Sequence, residues 1–329
     1  MPYYTLFSLT LFTGTLMSLS SNHWIYVWMG FEMNLMSFIP MILHSNSNQE
    51  TEAAVKYFLT QALGSSMILL AALSISFSSF SVFSSNLMML MITFSLMVKM
   101  GAAPFHFWLP QVMMSISWTS CMILATWQKI APLFIIASIS STLSNKFMMS
   151  LGAIGAIIGG LGGLNQTHLR PLLAYSSISH LGWMMSATCI SMYSTTIYFS
   201  IYALTTLSIM LIMYFNTTKS NYISSLTNTS LALSSSLMIL FLSLGGLPPL
   251  LGFFPKWIMI KSMIAQNMMM FTTFMILGSL ISLFYYMSLF FNMYTNYSME
   301  MYKNKASPSL MISTTIIATM TLGLIPMIM

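Results

Sequence analysis

Four ionisable side chains stand inside long apolar stretches of this sequence: Glu32 in WMGFEMN, Lys99 in LMVKMG, Lys129 in TWQKIAPL and Lys256 in FFPKW. A primary amine held away from water is penalised in its charged form. It can therefore load and release a proton under conditions where an exposed lysine stays charged. A carboxylate nearby favours the charged amine, so moving or screening Glu32 would switch Lys99 between loaded and unloaded states. The residue types thus suit proton transfer. The bland alternative is ion pairing that ties helices together, with lysines snorkelling to an interface. One glutamate cannot pair three lysines, which leaves Lys129 in particular without that explanation. Two histidines are candidate relays: His106, between Pro104 and Pro110, and His180, which follows Ser176, Ser177 and Ser179 in AYSSISHLGW. The serines could equally serve only to hydrogen-bond across helices. His23, His44 and His168 fall in connectors and read as solvated.

The elements that must position these groups follow from composition. The chain of 329 residues is 57% hydrophobic and 4% charged, with ten Lys and Arg, four Glu and no Asp. A soluble domain carries roughly 25% charged residues, so lipid replaces water as the main solvent. Helices and closed barrels alone satisfy their backbone in lipid. The apolar stretches run for about 20 residues, the helical length that crosses a bilayer, rather than the about 10 residues of a barrel strand. The chain is therefore an all-α polytopic membrane protein of about eleven spans, near 3–20, 24–43, 55–79, 86–112, 114–141, 147–164, 171–191, 196–215, 231–265, 270–295 and 309–328. Short polar connectors make residues 1–329 one domain. Glu32 then lies roughly 13 Å and Lys99 roughly 20 Å along its span, at 1.5 Å per residue. A charge at the bilayer centre costs roughly 2.5–3.5 kcal/mol, a large commitment for a chain with so few.

Even-numbered loops hold Lys56, Arg170, Lys219, Lys303 and Lys305, whereas odd loops hold Lys146, with Lys261 near another. The positive-inside rule places the N-terminus and even loops on the matrix or cytoplasmic side, and the C-terminus on the other. The first stretch lacks a basic n-region and a cleavage motif and reads as a retained span. The 37 methionines fit gap-filling between helices, or a mitochondrial code that reads an isoleucine codon as Met.

Two spans are too long and too interrupted to be simple. The fourth contains MVKMGAAPFHFWLPQV and the ninth SLGGLPPLLGFFPKW, and proline and glycine should unwind both. They lie five spans apart, so spans 1–5 and 6–10 would be inverted repeats with matching broken helices, the pattern of a transport site. The glycine run GAIGAIIGGLGG (152–163) has no Lys-Ser/Thr after it, so it reads as close helix packing rather than a phosphate loop. A four-cysteine cluster set and a dinucleotide fingerprint are both missing from the sequence. The lysines form no polybasic run that would capture nucleic acid.

WMGFEMN, LMVKMGAAPFHFWLPQV, TWQKIAPL, NQTHLRPLLAYSSISHLGW and GGLPPLLGFFPKW resemble the NADH-ubiquinone oxidoreductase chain 2 family, the shortened antiporter-like subunits of mitochondrial respiratory complex I. The resemblance implies an antiporter-like fold and a multi-pass, proton-pumping subunit of the mitochondrial inner membrane, with its N-terminus in the matrix and its C-terminus on the intermembrane side. It implies NADH oxidation and ubiquinone reduction in neighbouring subunits, which would hold NADH, FMN, iron–sulfur clusters and ubiquinone. The partners it implies are other complex I membrane subunits, including neighbouring antiporter-like chains, together with lipid. The family's proton-translocating positions fall on Glu32, Lys99, Lys129 and Lys256. Gln111 stands where the pattern has an acid, Leu251 where it has Thr, and MMSISW (113–118) lacks its glycine. A free-standing cation/proton antiporter would share the fold, but Na⁺ favours oxygen ligands, and this chain has no Asp and one intramembrane Glu. A non-conducting scaffold would not need Lys129.

Overall fold

The computed structural model describes residues 2–43, 47–76, 85–140, 143–215 and 231–297. All thirteen elements among them are α-helices. Two compact units divide at Leu151 and Gly152.

The first unit contains α1 (Pro2–Ser20), α2 (Trp24–Ile42), α3 (Asn48–Ser76), α4 (Ser85–Met100), α5 (Trp108–Ser115), α6 (Trp118–Ala125), α7 (Trp127–Ile139) and the first turns of α8 (Asn145–Gly163). Helices α1 and α2 cross through two glycines. A β-carbon on Gly14 would stand 2.9 Å from the Gly30 carbonyl oxygen, and one on Gly30 would stand 2.8 Å from that of Gly14. Backbones approach this closely only where side chains vanish, as small-residue interfaces in membranes require. Phe31, Leu35, Phe38, Ile92, Leu96 and Val112 fill the unit's interior.

In the second unit are the rest of α8, then α9 (Leu169–Thr188), α10 (Met192–Phe215), α11 (Leu231–Gly245), α12 (Phe253–Ala265) and α13 (Met269–Tyr297). Eighteen of the 20 residues of α9 are buried, so this helix is enclosed on every side. The glycine run of α8 makes that possible. β-Carbons on Gly152 and Gly159 would collide with the backbone of Gly182 and Ser179 on α9, and one on Gly160 would meet the Gly278 carbonyl of α13 at 2.8 Å. Hydroxyls inside the helices return their protons to carbonyls one turn back, as Ser176 does to Leu173 (2.8 Å) and Ser95 to Ile92 (2.6 Å). Polar residues thereby survive where water is scarce.

Helices occupy the positions expected for the first ten spans, and residues 309–328 of the eleventh lie outside those described. Six described helical segments are long and apolar enough to cross a membrane. Two local differences have physical causes. Helix α3 starts at Asn48, well before residue 55, because Ser47 Oγ accepts from the Glu50 amide (3.3 Å) and Glu52 pairs with Lys56 one turn on (2.6 Å). Lys56 is consequently a helix residue and not a loop residue. The fourth and ninth spans are each two helices, as expected, α4 with α5 and α11 with α12. The fifth, expected as one helix, is divided at Thr126, whose φ of −117° is stretched well beyond the usual helical value. Pro132, inside α7, has no amide to donate, so the turns preceding it are less tightly held.

Candidate functional site

Lys99 occupies the last turn of α4, and the way that helix ends defines its surroundings. Gly101 adopts φ +70°, its amide donates to the Val98 carbonyl (3.2 Å), and the Ala102 amide donates to Met97 (3.0 Å). This is the Schellman pattern, in which a left-handed glycine closes the helix and spares two of its last carbonyls. Side chains add to these: Gln61 Nε2 of α3 donates to the Lys99 carbonyl (3.2 Å), and Trp108 Nε1 of α5 gives the Val98 carbonyl a second donor (3.1 Å). The Lys99 ammonium lies 4.8 Å from the centroid of the Phe31 ring, a cation–π contact with α2. Gly64 of α3 provides room for its stem.

Phe31 adjoins Glu32, which is half-buried; no ion pair within 4 Å joins it to Lys99. Lys129 sits on α7, just past the Thr126 interruption. Its neighbour Gln128 donates from Nε2 to Asn34 Oδ1 (2.8 Å), two residues beyond Glu32 on α2. The first unit therefore gathers Glu32, Lys99 and Lys129 on three helices, with Asn34 and Gln128 fastening two of them. His106 is buried in the segment between α4 and α5. Its Nδ1 lies 3.1 Å from the Pro104 carbonyl oxygen and must donate to it, which leaves Nε2 as the acceptor of the neutral ring.

In the second unit, the end of α11 repeats the arrangement at the end of α4. Gly246 has φ +81°; its amide donates to Ser243 (3.0 Å), and that of Leu247 to Leu242 (3.5 Å). Lys256, in the first turn of α12, turns back and donates from Nζ to the Gly245 carbonyl (2.9 Å). A β-carbon on Gly246 would stand 2.9 Å from that Nζ, and one on Gly252 would collide with the Ser243 carbonyl oxygen. His180 is buried on α9, its Nδ1 3.0 Å from the Tyr198 hydroxyl of α10. His23 and His168 lie at the starts of α2 and α9, exposed and half-exposed; His44 lies outside the described residues.

Gln61, Asn34, Gln128, Trp108 and Tyr198 all contact this machinery, yet nothing in their sequence positions set them apart. Glu50 is buried in the first turn of α3. It carried a usable signal, as one of only four acids beside a span, but it reads from sequence as a connector residue.

This architecture, a helical membrane protein with a lysine at each of two broken helices, defines an antiporter-like transport subunit. The profile of the NADH:quinone oxidoreductase/Mrp antiporter transmembrane family matches residues 21–282. NADH-ubiquinone oxidoreductase chain 2 of Lumbricus terrestris is 42% identical over 97% of this chain and 96% of its own. That of Locusta migratoria is 43% identical over 87% and 84%. The chain belongs to the NADH-ubiquinone oxidoreductase chain 2 family. Among solved structures, a chain of respiratory complex I from Thermus thermophilus superposes with a TM-score of 0.83 at 22% identity, covering 98% of this chain and 78% of that one. A chain of the Mrp complex from Dietzia superposes with a TM-score of 0.77 at 15% identity, over 92% and 61%, which shows the fold alone.

Proposed function

We propose that Glu32, Lys99, Lys129 and Lys256 carry the protons that this chain moves, with His106 and His180 as relays. One observation carries the reading: Lys99, Lys129 and Lys256 are 6%, 1% and 6% exposed in a chain with so few charges, and the Lys256 ammonium is held by a carbonyl at the end of a broken helix. Carbonyls and half-helix ends offer partial charges that hold an ammonium without neutralising it. A lysine held by dipoles and not by a permanent carboxylate remains free to give up its proton when those dipoles move.

The chain is a proton-translocating membrane subunit of respiratory complex I in the mitochondrial inner membrane, and so part of an NADH:ubiquinone reductase. In our reading its share of that reaction is electrostatic and conformational coupling, with NADH, FMN, iron–sulfur clusters and ubiquinone bound by other subunits. Neighbouring antiporter-like chains pack beside it within lipid. We read residues 1–329 as a single antiporter-like domain of eleven spans, in which spans 1–5 and 6–10 are inverted repeats. The same Schellman ending, five spans apart, supports that reading. The N-terminus then faces the matrix and the C-terminus the intermembrane space.

Lys129→Ala tests the assignment. In the assembled complex it is expected to lower pumping and coupled NADH oxidation by about a hundredfold, the low end of what a positioned proton-transfer group contributes. Unchanged pumping in a fully assembled complex would remove Lys129 from the path.

A further inference from the structure

A groove on the outer face of the first unit takes no part in anything described so far. It encloses about 480 Å³ between α3 on one side and the end of α4, the connecting segment and α5 on the other. Sites of roughly 300–1,000 Å³ are the usual size for small ligands. Leu59, Leu63 and Met67, at helical spacing along α3, form one wall. Val98, Phe105 and Phe107 belong to the other, and both phenylalanines are exposed while His106 between them is buried. Trp108, bonded to the Val98 carbonyl, ties that second wall together.

The groove changes character along its length. From Lys56 to Met67 it follows α3 for roughly 16 Å at 1.5 Å per residue. That is the depth of one leaflet of a bilayer whose hydrocarbon is about 30 Å thick. The charges of α3 all stand near its start, at Glu50, Glu52 and Lys56, and residues 57–76 carry none. The rings of Tyr57 and Trp108 meet at 5.8 Å, so α5 begins beside this polar end, and Gln111 lines the groove one turn further on. Thr60 adds no donor, because its hydroxyl already bonds the Lys56 and Tyr57 carbonyls. The rest of the surface is aliphatic, aromatic or thioether.

Two features select the occupant. Lys56 and Glu52 pair at 2.6 Å, yet their side chains are 42% and 66% exposed, so both charges face outward and can meet a ligand. A headgroup with a single charge is attracted by one of them and repelled by the other. A headgroup with a phosphate and an amine is attracted by both. A helix of another subunit would pack through small residues, whereas Leu59, Leu63 and Phe107 are large and prominent. We infer that the groove binds a zwitterionic phospholipid. One acyl chain lies along Leu63, Met67 and Phe105, the phosphate meets Lys56 and the Gln111 amide, and the headgroup amine meets Glu52. The chain so placed packs on the segment that follows the helix of Lys99.

The intact complex in nanodiscs of phosphatidylglycerol is the system to test. Two probes carry the same photoreactive group on an acyl chain, one a phosphatidylethanolamine and the other a phosphatidylglycerol, and adducts are mapped by mass spectrometry. The phosphatidylethanolamine probe is expected to label residues 59–67 and 105–108 several-fold more than the anionic probe. Lys56→Glu is expected to lower that excess by about fivefold, the scale of one basic group at a membrane surface. Leu63→Trp fills the groove without touching the charges and is expected to abolish it. Equal labelling by the two probes means ordinary surrounding lipid and overturns the inference. Stronger labelling by the anionic probe, or an excess unmoved by both substitutions, does the same. So does an electron cryomicroscopy map in which a neighbouring subunit's helix fills the groove. Should either variant fail to assemble, the two probes on the unaltered complex decide.

Discussion

Lys99 meets a π-face and not a carboxylate. With its ammonium 4.8 Å from the Phe31 centroid and Glu32 next along α2, the lysine has a weak partner at hand and a strong one nearby. Small movements of α2 can therefore exchange one for the other. Glu32→Gln and Lys99→Met are expected to impair pumping singly, and the double variant less than the sum of the two. A coupling of about 0.5–3 kcal/mol is the range for residues sharing a network, and a strictly additive cycle would count against shared switching. The four charges themselves were legible in the sequence, because ionisable groups inside apolar stretches are few and costly. Their partners were not. Gln61, Trp108, Asn34 and Gln128 are ordinary in type, and their roles arise from contacts that close over 10 to 94 residues of chain.

At the scale of elements, the two helix endings matter more than the prolines beside them. Gly101 and Gly246 hold left-handed conformations that each close a helix just beyond a carbonyl the site uses. Gly246→Ala would face two obstacles, the left-handed backbone and a β-carbon 2.9 Å from Lys256 Nζ. The backbone cost alone is about 1–2 kcal/mol. Reduced thermal stability of the assembled complex is expected, with pumping lowered as Lys256 is displaced; a variant matching the wild type in both would mean the ending is not needed. Both breaks were legible from Gly and Pro. The interruption at Thr126 was not, since no glycine marks it and Pro132 lies six residues further on. The early start of α3 was equally hidden, because NQETEAA is polar in composition yet capped and internally paired.

At the scale of the whole molecule, the proposed orientation rests on the spread of Lys and Arg along the sequence and is open to a direct test. In mitoplasts carrying the complex, with Cys189→Ser as background, Thr167→Cys is expected to react with an impermeant thiol reagent only from the matrix side. Asn145→Cys is expected to react only from the intermembrane side. The reverse pattern would invert the topology. Thr167 is exposed in the connector before α9, and Asn145 is exposed at the start of α8. The all-helical membrane class was readable because hydrophobic length is a strong signal. The mutual packing of the helices was not, because lipid-facing and protein-facing residues are alike in hydropathy.

The glycines of α8 also set an order of events. One part of its surface closes on the backbone of α9, which follows at once in the chain; Gly160 closes on Gly278 of α13, which begins more than a hundred residues after α8 ends. During synthesis, α8 enters the membrane with that part of its surface complete in sequence but without its mate. Until α13 is inserted, the bare groove beside Gly160 must be occupied by acyl chains or by a temporary companion. A helix made much later is thus the one that allows an early helix to finish folding, and this part of the chain cannot mature span by span in the order it is made.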